Sequence, residues 1–237
     1  MELIFEPTTS YQNFTPDHWL PMIILSGIFI GLIVFFGKFS NDTNFRVAFS
    51  LSLIPLFCVM SRMVLTAYEG IFSMQEELPF HLCRLIAFVF PIFIWYRNKK
   101  WINSLYFLII IGTLQAIITA DLQYIYPHYS YILYWIFHVS LVWIPVFIII
   151  NLNIRPQFSD LVRAIIAINI YMVCTLMINF SIGSNYFYTR HKPPGGTLLD
   201  LLGPWPLYLF VVEGLGILLF CLAYLPFYKK ENKQTTF

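Results

Sequence analysis

The chain has 237 residues, 59% of them hydrophobic and 11% charged, with a formal net charge of +2 and a mean hydropathy of +0.72. Soluble domains carry roughly 25% charged residues, so this composition excludes an ordinary water-solvated core and describes a chain surrounded mainly by lipid. The basic residues are distributed over loops as topology signals and make no binding face, so nucleic-acid binding has no support.

A helix needs about 20 mostly apolar residues to cross the hydrocarbon. In chain order the candidate spans are Trp19 to Gly37, Phe45 to Ala67, Leu78 to Tyr96, Trp101 to Ala120, Tyr131 to Asn151, Leu161 to Ile182 and Trp205 to Tyr228. Closed β-barrels also satisfy backbone groups in lipid, but they need alternating polarity, and runs such as Leu108-Ile109-Ile110-Ile111 do not alternate. The expected fold is therefore all-α: a single integral membrane domain over 1–237, a polytopic bundle of seven transmembrane helices. No internal repeat of the kind found in transporters is visible. Trp19, Trp95, Trp101 and Trp205 fall at span ends, as an interfacial belt requires.

Lys and Arg set the orientation. Lys38, Arg46, Arg97, Lys99, Lys100, Arg155, Arg163, Lys229, Lys230 and Lys233 fall on one side, ten of the fourteen basic residues. The other side has only Arg190 and Lys192 in its loops, together with the acids Glu2, Glu6, Asp17, Glu69, Glu76, Glu77, Asp121 and Asp200. The basic side is read as cytoplasmic, giving an N-out, C-in topology. The first 18 residues hold no Lys or Arg, so the first helix is expected to insert as an uncleaved segment. Cys58, Cys83, Cys174 and Cys221 all fall within spans, which offers no disulfide framework.

The third span is unusual because it carries His81, Cys83, Arg84 and Pro91. Leu78-Pro79 fits its start, since proline is tolerated in a first helical turn. The last outer connection, Ser181 to Pro204, contains Pro193-Pro194-Gly195-Gly196, which does not extend a helix. It reads either as a connector at the interface or as a lid.

Polar groups inside lipid are costly and call for a reason. At 1.5 Å per residue, Arg62, His81, Cys83, Arg84, Gln115, His138 and Glu213 fall about 5 to 12 Å below the outer face, with Thr119, Asp121 and Asn179 at that face. One layer thus gathers ionisable groups from several helices. It predicts either a polar cavity or a structural network in which Arg62 or Arg84 pairs with Glu213. Cys83 is the sharpest member, because a helix N-terminus and a neighbouring cation favour the thiolate. His138 is the base a Cys–His pair requires. His81 lies at i−3 from Arg84 and either orients a headgroup or satisfies backbone. His18, His128 and His191 take structural readings. No short-spaced ligand motif supports a metal, and no cofactor is expected.

LPFHLCR (Leu78 to Arg84), GTLQAIITADL (Gly112 to Leu122) and LLDLLGPWP (Leu198 to Pro206) resemble YwaF-like bacterial integral membrane proteins. Pro127 to Tyr129, Arg155-Pro156 and Asn185 to Pro193 fit the same pattern. This group is similar to the eukaryotic transmembrane protein 164 family. The resemblance implies acyl transfer between phospholipids by a Cys–His pair, with Cys83 matched in the HLCR motif and His138 matched by its helix. It also implies a bacterial cytoplasmic membrane as the location.

The enzyme reading is a phospholipid acyltransferase or acyl-ester hydrolase near the outer leaflet. Its catalytic residues are Cys83 and His138, and Arg62, His81, Arg84, Gln115, Asp121 and Glu213 contact substrate. The partners are membrane lipids, a phospholipid acyl donor and a lysophospholipid acceptor. Two alternatives stay open: a transporter-like protein that binds a solute or lipid in the same layer without covalent chemistry, and an accessory membrane protein without a ligand.

Overall fold

The computed structural model describes residues 11–192 and 198–231, with helices α1 (Pro16–Phe36), α2 (Asn41–Tyr68), α3 (Leu82–Trp95), α4 (Lys99–Ile118), α5 (Tyr129–Asn151), α6 (Phe158–Ile182) and α7 (Leu207–Glu231). Glu2, Glu6, the Pro193 to Gly196 run, Lys233 and the side chains of Lys229 and Lys230 lie outside the described residues. Two short 3-10 turns, Tyr186–Tyr188 and Leu198–Leu202, punctuate the last connection. Six helices are long and apolar enough to cross a bilayer, and α3 is a shorter apolar one. The chain is a multi-pass helical membrane bundle.

Helices α4 and α5 are its centre. The most apolar stretch of each is half buried, against 11% for α1 and 17% for α6 and α7. Helix α4 packs against α3, α5, α6 and α7, while α5 packs against α1, α2 and α4. The remaining helices turn their apolar faces to lipid, which is why Ile23, Val34, Phe57, Phe180 and Phe210 are exposed. The core runs along α3, α4 and α5 through Phe90, Ile94, Phe107, Leu141 and Phe147.

Polar side chains fix the ends. Ser40 caps α2 and Asn98 caps α4. Gln157 and Asp160 form a reciprocal capping box on α6. At this basic end Asp160 also accepts from Asn103 at 3.0 Å and pairs with Arg163 at 2.7 Å. At the opposite end Asn13 both donates to and accepts from the backbone of Ala120, which ties the N-terminal segment to the end of α4.

The third helix departs from the sequence expectation. It begins at Leu82, not at Leu78-Pro79. A residue before proline is pushed out of the helical region. Here, moreover, tertiary partners hold the segment: Tyr186 Oη accepts from the Leu78 N–H at 3.0 Å, and the Tyr171 hydroxyl donates to the Phe80 carbonyl, an acceptor a helix would have used. Fourteen residues remain helical. That is about 21 Å of helix against a hydrocarbon core of about 30 Å.

Candidate functional site

Cys83 is the second residue of α3, after Leu82, with His81 at the N-cap position. His81 makes no side-chain cap bond, so the first-turn N–H groups remain available to an incoming acceptor. The thiol is half-buried and lies 3.5 Å from Thr113 Oγ1 of α4.

Helix α4 also relays to α5. One turn beyond Thr113, the Ala116 carbonyl accepts the Tyr134 hydroxyl at 2.6 Å. Tyr134 and His138 lie one turn apart on α5, with ring centroids 4.1 Å apart. His138 Nδ1 is 2.9 Å from the Tyr134 carbonyl oxygen. A carbonyl only accepts, so Nδ1 carries the proton and Nε2 presents its lone pair. Among the described residues no hydrogen bond joins Cys83 to His138. They share neighbours instead: Arg84 acts electrostatically on both, and Tyr134 contacts His138 while lying within electrostatic reach of Cys83.

The two arginines of the layer meet on Glu77. Arg62 grips it with both ends of its fork, Nε to Oε2 at 2.9 Å and Nη2 to Oε1 at 2.7 Å. Arg84 approaches the same carboxylate at 3.5 Å and donates to the Glu76 carbonyl at 2.8 Å. The Arg–Glu213 pairing expected for a structural network is therefore replaced by pairing with Glu77. The reason is that the loop before α3 folds back between α2 and α3 and brings a nearer carboxylate. Glu77 is 4% exposed. The Glu76 carboxylate also acts on Arg62, so the two guanidinium groups have two acids near them. Arg84 adds a cation in the first turn of α3, where the helix dipole disfavours one.

The outer connection after α6 covers this region. Buried Asn179, at the end of α6, donates to the Tyr186 carbonyl at 2.8 Å and to Thr189 Oγ1 at 2.7 Å, and accepts from Ser184 at 2.6 Å and the Tyr186 N–H at 2.8 Å. All four hydrogen-bonding positions of the amide are filled. Phe187 and Tyr188 adopt left-handed backbone at φ +57° and +52°, a conformation that costs about 1–3 kcal/mol each and clusters at functional sites. The result sets Tyr186 and Tyr188 against His81, with centroids 5.1 and 6.0 Å away, and Phe187 against Tyr171.

The other expected members form a looser rim. Asp121 is exposed, yet its charge reaches Tyr134 and Tyr188. Gln115 is exposed and Glu213 is partly buried, and neither side chain has a hydrogen-bond partner among the described residues. Phe107 and Phe220 pack 6.1 Å apart between α4 and α7. Seven or eight residues further out, about 10 Å along each helix, come Glu213 and Gln115 at one height. Among the described residues no three His, Cys, Asp or Glu side chains gather as a metal-holding cluster.

Glu77, Thr113, Tyr134, Tyr171 and Tyr186 are absent from the sequence expectation. Tyr134 alone had a local signal, lying one helical turn before His138. Glu77 lies just before the HLCR motif but its partner Arg62 is on α2, and Thr113, Tyr171 and Tyr186 arrive from distant segments.

The TMEM164 family model matches residues 13–224. The chain belongs to the TMEM164 family. The match runs from the asparagine that ties down the end of α4 into the last helix, so it takes in every site residue of this TMEM164-family protein. No curated protein and no solved structure matches the chain.

Proposed function

We propose that this TMEM164-family protein is a thiol-dependent phospholipid acyltransferase or acyl-ester hydrolase that works near the outer leaflet of a bacterial cytoplasmic membrane. One observation carries the reading: Cys83 at the open start of α3 and His138 with its free Nε2 both lie within electrostatic reach of Arg84 and Tyr134. The clustering of basic residues in the opposite loops supports the outer placement.

In the proposed reaction His138 Nε2 takes the thiol proton and Cys83 Sγ attacks the lipid ester carbonyl. The first-turn N–H groups of α3 stabilise the oxyanion. The ester C–O bond breaks, the leaving alkoxide takes the proton from His138, and a thioester remains on Cys83. An acceptor hydroxyl then gives its proton to His138 as its oxygen attacks the thioester, the C–S bond breaks and the thiolate is reprotonated. Water as acceptor yields a free acid, and a lysophospholipid yields a new phospholipid. Arg84 holds the lipid phosphate, while Arg62, bound to Glu77, fixes that carboxylate in place.

A second reading, lipid binding without covalent chemistry, is favoured by Thr113 and not His138 being the hydrogen-bond partner of Cys83. The test is mass spectrometry of purified protein incubated with mixed phospholipids. An acyl adduct on Cys83, lost in Cys83→Ala and accumulating in His138→Ala, is the expected outcome. Saturable lipid binding that survives Cys83→Ser, with no adduct in folded wild-type protein, would replace the enzyme by the binding reading.

A further inference from the structure

A cavity of about 130 Å³ lies between α3, α4 and α6. Leu82 and Tyr171 line its outer end, and Phe93 and Trp101 its inner end. Leu82 is the neighbour of Cys83 in the chain, and Tyr171 lies within electrostatic reach of the thiol. From Leu82 to Phe93 is about 16 Å of helix. One face of α3 walls the whole distance through Leu82, Ile86, Val89 and Phe93, spaced three or four residues apart.

The lining side chains are apolar apart from the Trp101 indole N–H and the Tyr171 hydroxyl, which is engaged by the Phe80 carbonyl. At the inner end Phe93 and Trp101 stack with centroids 5.5 Å apart and planes 11° from parallel, making a flat, rigid floor. The small side chain of Ala167 on α6 leaves the passage open. A site for a headgroup or an ion needs polar atoms, and a site for a protein segment needs backbone partners. This passage offers neither. It is apolar, has stacked rings at its inner end, and is walled at its outer end by Leu82, the chain neighbour of Cys83.

We infer that this passage receives the distal part of a lipid acyl chain, with the Phe93–Trp101 floor limiting how long a chain fits when its carbonyl sits at Cys83. The inference rests on the proposed acyl chemistry for the meaning of that length limit. Substrate selection then lies in α3, α4 and α6, away from the charged mouth: Arg84 reads the phosphate and the floor reads the chain.

The experiment uses the full-length protein in phosphatidylcholine vesicles doped with a phosphatidylcholine that carries a photoreactive diazirine near the end of one long acyl chain. After irradiation, labelled residues are mapped by mass spectrometry. Labelling at Leu105 and Ile168 is expected to exceed that at the lipid-facing residues Val212 and Leu218 several-fold. It is expected to fall to that background in Ala167→Trp, with Val89→Phe as a milder second obstruction. Equal labelling on all lipid-facing helices, or groove labelling that survives both obstructions, would overturn the inference. Labelling is independent of the thiol, so it persists in Cys83→Ala. A labelled passage without any Cys83 thioester in wild type removes the covalent reading and leaves the chain site standing. A thioester whose chain-length preference is the same in Ala167→Trp as in wild type removes the chain site and leaves the chemistry. With both in place, Ala167→Trp shifts the adduct towards shorter chains by at least about ten-fold.

Discussion

Glu77 carries an unusual load for one side chain. It is buried, holds Arg62 by two hydrogen bonds and stands 3.5 Å from Arg84. Removing one partner of a buried ion pair costs about 3–5 kcal/mol because a charge is left unpaired. Glu77→Ala leaves two guanidinium groups facing each other and is expected to lower thermal stability in detergent by about 3 kcal/mol. An unchanged unfolding temperature would mean that the carboxylate does not organise the arginines. His128 offers a second check at this scale. It precedes α5, is 2% exposed, stacks on Tyr124 at 3.7 Å and accepts the Ser130 N–H through Nδ1. Burial holds its pKa below the ordinary 6.5. The unfolded chain therefore binds the proton first, so stability is full above about pH 6.5 and is lost as pH falls towards the folded value. The unfolding temperature should drop between about pH 7 and pH 5. His128→Asn, which keeps an acceptor at the cap, should flatten that drop, and an equal drop in both proteins would refute the assignment.

At the scale of elements, the outer connection after α6 is built on Asn179. Leaving its buried partners unsatisfied costs about 1–3 kcal/mol per group. In Asn179→Ala the turn over His81 should loosen, and trypsin should cut after Arg190 much faster than in wild type. Equal cleavage rates would mean that other contacts hold the turn. The sequence left this connection undecided between connector and lid. Nothing near Asn179 announces that its amide closes on Ser184, Tyr186 and Thr189, and two left-handed non-glycine residues have no signature in composition. Six helices were legible to within a few residues because length and hydropathy alone define a span. The start of α3 was not legible. Its Leu78 and Phe80 backbone groups are taken by Tyr186 and Tyr171, about a hundred residues away, and local pattern cannot register such partners.

Over the whole molecule, the layer of polar residues was readable as heights along helices, since depth follows from residue count. Which side chains meet was not readable. Arg62 turns to Glu77 and not to Glu213, and Cys83 and His138 are linked only through Arg84 of α3 and Tyr134 of α5. A central α4 that touches α3, α5, α6 and α7 follows from the packing order, which hydropathy does not encode. The same order explains why α4 and α5 are the most buried spans and why the site lies where their outer ends meet α3.

The short third helix bears on the work of reaching a lipid. Pulling an alkyl chain out of a bilayer costs about 0.8 kcal/mol for each methylene exposed to water. A full-length span starting at the water boundary would hold its first-turn cysteine above the acyl esters, and a lipid would have to rise to meet it. Here α3 starts only at Leu82, and residues 69–81 before it are turns and irregular chain. On the proposed reading, thiol and ester sit at nearly the same height. A phospholipid then arrives by sideways diffusion within its own leaflet, its tails never leaving oil, and the protein needs no machinery to lift it.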